Sequence, residues 1–389
     1  MVFLGFSLAA FGMSYAKFKR HTLKHAKVLQ SQALNVEKTK HENNIALRTP
    51  NPTLGLEVGR YDPDFSGDAY GYSISASQTI RTDGYLDALT SKAKAKTLLS
   101  RAYTAQSKAQ YIRKIEALYT EYVYESKMLL LLKEESKLSA KMTSVAKERY
   151  LNGSETKVSY LQARTQTLAL KTQMHTTKQQ MNSLYYTLLA MGGFSKKVSL
   201  SKKFIYSVSA KTKGIKSNSK HNSKQKILLA KEKLYASELQ MNQNRFKSYD
   251  ITTGIEKEPE QSILRVGISV SLPLRHNKEE EKALARLKMQ QLKLDRGQLS
   301  LDIKSQKQML RSAIRELSQQ YHALRVLKKE QQSLSNLLTE GYDIAQGSLF
   351  ELMLTKNRLI QTKKSLLQTH KKINHQKIAL RLLQGNYND

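Results

Sequence analysis

The chain contains no cysteine and no tryptophan, and only five of its 389 residues are proline. Without cysteine it forms no disulfide, no thiolate metal site and no lipid anchor on an N-terminal cysteine. Few prolines suit long helices, because proline interrupts the helical hydrogen-bond ladder. Beyond residue 16 the longest aliphatic run is Met128–Leu132, whereas a helix needs about 20 apolar residues to cross a bilayer. A transmembrane helix is therefore not expected after residue 16.

Acidic residues are also few. Asp and Glu number 32 against 65 Lys and Arg, which gives a net charge of +33. A surplus of this size favours nucleic-acid binding. The lysines, however, are spread along helical patterns and are not gathered beside aromatic residues. A basic coiled-coil protein that binds nucleic acid or acts as a structural scaffold remains the alternative function, although it leaves the strands described below unexplained.

The sequence offers no enzyme signature. It has no HExxH motif, no Gly-rich phosphate loop and no arguable Ser/His/Asp grouping. His21 and His25 share a helical face, but no carboxylate follows them before Glu37, so we interpret them as a surface pair and not as a metal site. We predict a protein that is not an enzyme and that needs no cofactor or metal.

Residues 2–16 form an apolar run that ends in Ser14-Tyr15-Ala16, a small-x-small cleavage pattern. This pattern predicts a secretory signal peptide over residues 1–16, although no basic residue precedes the run. The alternative is an apolar start of a helix that packs in the fold.

A long helical hairpin is predicted over residues 279–385, with its tip at 340–348. Its first arm carries apolar residues at alternating steps of three and four, the pattern of a coiled-coil seam: Leu310, Ala313, Leu317, Leu324, Leu327, Leu334 and Leu338. Its second arm repeats an apolar residue every seven positions: Leu352, Leu359, Leu366, Ile373 and Leu380. Ser348 and Glu351 have the spacing of a capping box that restarts the helix after Gly347.

A similar hairpin is predicted over residues 84–191, with its tip at 151–156. Leu151-Asn-Gly-Ser154 interrupts the helical pattern, and Thr156 is placed to cap the second arm. Gly192-Gly193 ends this arm in the manner of a C-terminal cap.

Four segments change to a period of two and are predicted as strands, at residues 53–60, 70–80, 248–257 and 263–273. Each pair of strands follows a shorter helical stretch. The order helix, strand, strand, hairpin therefore occurs twice, over residues 17–193 and 225–389. Between the two repeats lies a Lys-rich segment, residues 194–224, which we interpret as an irregular, solvated linker.

Each predicted strand pair has one apolar face and one face of Ser, Gly and Thr. Such a sheet would aggregate in water, but it matches the wall of a membrane barrel, with apolar residues toward lipid. The residues predicted to face lipid are Leu54, Leu56, Val58, Tyr72, Ile74, Val266, Ile268 and Val270. Four strands do not close a barrel alone, so we expect a ring of several identical subunits.

The order of these elements, the strand end Ile268-Ser-Val-Ser-Leu-Pro-Leu274 and the tip Gly341-Tyr342 to Leu352 resemble the TolC family of bacterial outer-membrane efflux channels. The resemblance implies a mainly helical homotrimer with a twelve-stranded barrel in outer-membrane lipid, continuous with a periplasmic helical barrel. It further implies a passive conduit for solutes such as metal cations or drugs, which works with a periplasmic adaptor protein and an inner-membrane pump and does not bind nucleic acid.

The same resemblance implies functional residues at the hairpin tips. Glu351 matches one carboxylate ring of the channel constriction, whereas the second ring falls on Leu354. Tyr342 matches a tyrosine that latches the closed tip, while the position of its arginine partner falls on Gly347, and Asp343 is a further gate candidate. Residues expected at the adaptor-docking tips are Tyr150, Asn152, Gly153, Thr156, Gly347 and Ser348.

Overall fold

The structure is a computed structural model. It describes residues 12–61, 69–210, 222–258, 260–272, 277–344, 348–385 and 387. The chain forms two compact units. The hairpin unit comprises Met1–Ser31, Ser107–Asn222 and Asp302–Asp389, and the sheet unit comprises Gln32–Gln106 and Ser223–Leu301.

The described residues form seven helices and four strands. The helices are α1 (Tyr15–His25), α2 (Lys27–Leu47), α3 (Asp83–Leu151), α4 (Lys157–Gly192), α5 (Ser223–Gln243), α6 (Glu279–Asp343) and α7 (Leu349–Leu383). The strands are β1 (Thr53–Tyr61), β2 (Ala69–Arg81), β3 (Ser248–Lys257) and β4 (Ser262–Val270). A mainly helical chain with a small antiparallel sheet, as predicted from the sequence, is confirmed.

The polar helical stretch before the first strand is two helices, not one. Ala26 separates α1 from α2 with an extended backbone, ψ 114°. The end of α4 packs against this break: a Cβ atom on Gly193 would lie 2.7 Å from the carbonyl oxygen of His25. Gly193 also has φ +72°, a left-handed conformation that favours glycine. Gly193 therefore both ends α4 and admits the backbone of the α1–α2 junction.

The four strands form one antiparallel sheet in the order β1-β2-β3-β4. Leu56 pairs with Ile74, Ile74 with Ile255, and Ile255 with Leu264. Residues that pair directly across antiparallel strands lie on the same face. The register therefore places the apolar residues of all four strands on one face of the sheet. β4 ends at Val270, earlier than expected, and Pro273 lies outside the described residues.

The hairpin unit is held together by an aromatic and aliphatic core. Its central buried residues come from α1, α3, α4 and the segment after α4: Phe18, Ile115, Tyr119, Tyr122, Val123, Leu188 and Leu200. Phe18 stacks on Phe194 with ring centroids 5.6 Å apart. Burying such rings stabilises the unit, because each removes a large apolar area from water.

The described part of the Lys-rich segment, residues 194–210, is a packed belt and not a solvated linker. It has no helix or strand of its own, but Leu200 is buried and forms an isolated parallel bridge with Met13. Phe194, Phe204 and Ile205 pack against the core. The high lysine content led to the prediction of a solvated linker, because the lysines are interspersed with the apolar residues that make these contacts.

Residues 12–16, the end of the predicted signal peptide, take part in the same packing. The backbone N–H of Met13 donates to Ser199 at 2.7 Å, and the Tyr15 ring lies 5.1 Å from Tyr119. Cleavage after Ala16 remains a prediction, and it would remove these contacts. Residues 1–11 lie outside the described residues.

Candidate functional site

The apolar face of the sheet is exposed. All eight residues predicted to face lipid are exposed on it, with Val58 at 78% and Val266 at 74%. Ile255 and Leu264, on the same face, are exposed as well. A contiguous apolar face of this kind marks a surface that a partner or a lipid covers. Contact of these side chains with lipid remains a prediction.

The opposite face of the sheet is polar. Ser73, Ser75 and Ser77 of β2 alternate with the apolar residues, and Thr252 donates to Ser77 at 3.3 Å. Arg265 pairs with Glu256 at 2.5 Å on this face. Charged and small polar side chains suit a surface in contact with water. The sheet therefore has one apolar face and one polar face.

The hairpin tips carry a clamp that joins α3 to α6. The Arg149 guanidinium lies over the Tyr342 ring, 4.0 Å from its centroid, and Nη2 donates to the Tyr342 carbonyl oxygen at 2.5 Å. Tyr342 is buried among Ala146, Leu349 and Leu352. The predicted gate tyrosine is thus held inside the tip by an arginine of the other hairpin.

Sequence reasoning missed Arg149. The expected arginine position fell on Gly347, which lies outside the described residues. Arg149 stands one residue before Tyr150 in a stretch where the neighbouring cations, Lys147 and Lys157, are lysines. A lone arginine among lysines was the available signal, since only guanidinium combines stacking on a ring with a directed hydrogen bond.

The start of α7 differs from the predicted capping box. Ser348 occupies the N-cap position with an extended backbone, but its side chain makes no capping hydrogen bond. Ser348 is exposed. Glu351 lies in the first turn of α7 and is exposed. A role for Glu351 in a channel constriction remains a prediction. The backbone of Asp343 ends α6.

The other tip folds as expected at its cap. The Thr156 hydroxyl accepts from the Ser159 N–H at 3.2 Å, and Gly153 has φ +73°. Asn152, Gly153 and Thr156 are exposed, and the half-buried Tyr150 stacks on Tyr160. Docking of an adaptor at these residues remains a prediction.

A buried carboxylate, that of Glu116, contacts residues from the first and the last helix of the hairpin unit and from the segment after the last helix. Glu116 has no exposed side-chain surface and accepts hydrogen bonds from Tyr15 at 2.8 Å, from Tyr387 and from Arg381 at 3.4 Å. Arg381 also donates to the Tyr206 hydroxyl of the belt. Burial raises the pKa of Tyr15 and of Tyr387, so both hydroxyls stay protonated and donate. Nothing in the sequence pattern pointed to this cluster.

Two side chains of α7, those of Lys377 and His370, hold the belt by hydrogen bonds to its backbone. Lys377 is only 3% exposed and donates to the carbonyl oxygens of Ser207 at 2.9 Å and Ser209 at 2.8 Å. His370 donates from Nε2 to the Tyr206 carbonyl at 3.0 Å. The Phe204 ring covers the imidazole of His370, with ring centroids 4.1 Å apart.

This attachment predicts a pH dependence. Burial lowers the pKa of His370, and the charges of Lys127 and Lys377 add to this effect. The pKa of this imidazole is about 6.5 in the unfolded chain and lower in the folded chain. Below about pH 6.5 the unfolded chain therefore binds more protons than the folded chain, and the stability falls as the pH falls. The free energy of unfolding should decrease between about pH 7.5 and pH 5.5. In His370→Gln, which keeps a donor but does not titrate, this decrease should be smaller. Equal slopes in the two proteins would contradict the assignment.

The His21–His25 pair is part of the packing. The two rings are 4.4 Å apart, and His21 stacks on Phe194 at 3.9 Å. In the described part of the chain, no group of three or more His, Asp or Glu side chains is placed to hold a metal ion. None of the described helices has a stretch long and apolar enough to span a membrane.

Comparison with known proteins relates the chain to a family of channels. Residues 20–193 match the sequence model of the outer membrane efflux protein family. No curated protein sequence matches the chain. The fold is similar to VceC of Vibrio cholerae, with a TM-score of 0.78, 13% identity and 95% of each chain covered.

Two further channels share the fold. CmeC of Campylobacter jejuni has a TM-score of 0.72 at 14% identity, covering 96% of this chain and 84% of CmeC. MtrE of Neisseria gonorrhoeae has a TM-score of 0.76 at 12% identity, covering 95% of this chain and 88% of MtrE. The resemblance to TolC-like channels predicted from the sequence is confirmed. Residues 20–193 thus match the outer membrane efflux protein family, and the fold over both repeats is similar to that of these outer-membrane channels.

Proposed function

We propose that three copies of this chain form a passive efflux channel in the outer membrane, in which the sheets join into one barrel. The single observation that carries this proposal is the apolar sheet face, which is exposed in all four strands of a chain whose residues 20–193 match the efflux family. Lipid is the surrounding that matches an apolar band backed by a polar interior.

The strand count and the open edges support barrel closure. β1 and β4 each pair with one strand only within the described sheet. Unpaired edges do not occur in lipid, because their N–H and C=O groups would have no partner. Pairing β4 of one copy with β1 of the next satisfies both edges. Three copies supply twelve strands, an even number within the range of bacterial barrels.

The tips would form the periplasmic entrance. Tyr342, held by Arg149, keeps α6 against α3, and Glu351 presents a carboxylate on the exposed surface of α7. Three such carboxylates around one axis attract cations. The exposed residues Asn152, Gly153 and Thr156 would meet the adaptor, which links the channel to an inner-membrane pump. Metal cations and drugs are the proposed cargo.

A charge on the lipid face tests the barrel. Val266→Lys should prevent insertion, because a lysine facing lipid costs about 2–4 kcal/mol near the middle of a bilayer. Gly267→Lys is the matched control: it lies one residue on, and a Cβ built there meets no atom within 4 Å. We expect the control to insert and Val266→Lys to be lost from the outer-membrane fraction. Equal amounts of both proteins in that fraction would contradict the barrel.

Removing the Glu351 charge tests the constriction. Glu351→Gln should weaken block of the channel by divalent cations, because three carboxylates lose their charge without a change in side-chain size. Single-channel recordings in planar bilayers measure this block. Glu340→Gln, which removes another exposed carboxylate near the tip, serves as the control. Unchanged block in Glu351→Gln would show that Glu351 lies away from the narrowest point.

Transport itself is tested in cells. Deleting the gene should reduce resistance to one class of solute in a panel of copper, zinc, cadmium and detergents. Restoring the wild-type chain should return it, whereas the Val266→Lys variant should not. Unchanged resistance to the whole panel would contradict the cargo proposed here.

A further inference from the structure

Residues 13–16 are built into the hairpin unit, although they end the predicted signal peptide. Met13 is joined to the belt by two backbone hydrogen bonds. Its N–H donates to the Ser199 carbonyl at 2.7 Å, and its carbonyl accepts from the Ser201 N–H at 3.0 Å. The Met13 side chain packs against the core of the unit. Both backbone groups of Met13 are therefore paired with the folded chain.

Ser14 forms the start of α1. It occupies the N-cap position with an extended backbone, and its hydroxyl accepts from the Lys17 N–H at 3.4 Å. Its carbonyl accepts from the Phe18 N–H at 3.0 Å. Cleavage after Ala16 would remove this cap and place a new ammonium group on Lys17. A positive charge at the amino end of a helix is unfavourable, because the free N–H groups there already carry partial positive charge.

Tyr15 donates a hydrogen bond to a carboxylate that has no contact with solvent. Its hydroxyl lies 2.8 Å from Glu116 Oε1, and the Glu116 side chain has no exposed surface. The Tyr15 ring lies 5.1 Å from that of Tyr119 in the core. A buried carboxylate is destabilising when its hydrogen bonds are missing. Cleavage after Ala16 would therefore take from the folded unit a donor to Glu116 and a ring of its core.

Further small-x-small patterns lie on the amino side of Met13. The two nearest are Ser7-Leu8-Ala9 and Ala10-Phe11-Gly12. A cleavage site of a signal peptide needs such small residues directly before the cut. The distance from Met1 does not rank the patterns, since no basic segment marks where a signal peptide begins. A cut after Gly12 would leave Met13 with an ammonium group, which still donates to the Ser199 carbonyl.

We propose that export processing cuts the chain on the amino side of Met13, after Ala9 or after Gly12, and that residues 13–16 belong to the mature protein. The reaction is hydrolysis of one peptide bond. Water adds its oxygen to the carbonyl carbon of Ala9 or Gly12, and the nitrogen of the next residue leaves as an amine. This inference rests on the proposed outer-membrane channel, because the cut accompanies export.

The intact mass of the full-length chain, expressed with its own amino terminus and purified from outer membranes, identifies its first residue. We expect a mature chain that begins at Ala10 or at Met13. A conducting channel whose chain begins at Tyr15 or Lys17 would overturn this cut and leave the channel standing, and so would one that still begins at Met1. A chain that never reaches the outer membrane would overturn the export on which both proposals depend.

Two variants test which bond is cut, because a large residue directly before the bond blocks processing. Ala16→Gln blocks a cut after residue 16, and Ala16 is exposed, so the substitution leaves the packing unchanged. We expect this variant to be processed like the wild-type chain. Ala9→Gln/Gly12→Gln should instead accumulate as the unprocessed precursor. Precursor accumulation in Ala16→Gln, with normal processing of the double variant, would overturn the proposal.

Discussion

In the proposed channel, replacing Arg149 with alanine should open the tips. The change removes the guanidinium from the Tyr342 ring and its hydrogen bond to the Tyr342 carbonyl. A cation–π contact and a charged hydrogen bond in a half-buried place together contribute about 2–4 kcal/mol. A loss of this size in each subunit shifts a closed population by about 30- to 1000-fold toward open. Single-channel recordings should show a higher open probability or a larger conductance.

Two matched variants separate the clamp from general effects of charge. Lys147→Ala removes an exposed cation of α3 two residues away and should behave as wild type. Arg149→Lys keeps the charge but loses the planar fork, so it should be intermediate. A wild-type open probability in Arg149→Ala would show that the contact between α3 and α6 does not hold the entrance closed.

Glu116→Gln should destabilise the hairpin unit more than any other substitution considered. The carboxylate is fully buried and accepts from Tyr15, Tyr387 and Arg381. Removing its charge leaves Arg381, which is 27% exposed at its side chain, without its buried partner. Breaking a buried pair in this way costs about 3–5 kcal/mol. Urea unfolding in detergent, followed by circular dichroism, should give a lower free energy of unfolding.

Two further substitutions provide the comparison for the stability of Glu116→Gln. Glu134→Gln changes an exposed carboxylate of the same helix and should alter the free energy of unfolding by less than about 0.5 kcal/mol. Tyr387→Phe removes one donor and should cost about 2 kcal/mol. If Glu116→Gln unfolds at the same urea concentration as Glu134→Gln, the cluster does not stabilise the unit.

The sequence was most informative where one pattern repeats over many residues. The alternation of apolar and polar residues predicted the four strands. Successive side chains of a strand point to opposite faces, so the apolar residues of each strand share one face. Apolar residues at steps of three and four predicted α6, and an apolar residue every seven positions predicted α7. The caps at Thr156 and Gly193 followed from residue types whose preference is local. These features depend on neighbours in the chain.

The parts that escaped prediction depend on residues far apart in sequence. Arg149 and Tyr342 belong to different hairpins, and Tyr15 meets Glu116 across 101 positions. No local pattern marks such pairs. The belt was misread for a related reason: its lysine content suggested solvent, while Leu200 and Phe204 carried the packing. Ser348 occupies the N-cap position of α7, but its side chain makes no capping hydrogen bond. The spacing of a capping box therefore predicted where the helix begins but not the hydrogen bond.

The Glu116 cluster also bears on the order of events in folding. A residue of the first helix, Tyr15, and two residues near the carboxyl end, Arg381 and Tyr387, converge on one carboxylate. Arg381 follows Glu116 by 265 positions, so the carboxylate gains this partner only when α7 packs on α3. Contacts this far apart in sequence carry a large loop-closure cost, and we expect the core around Glu116 to form late in folding.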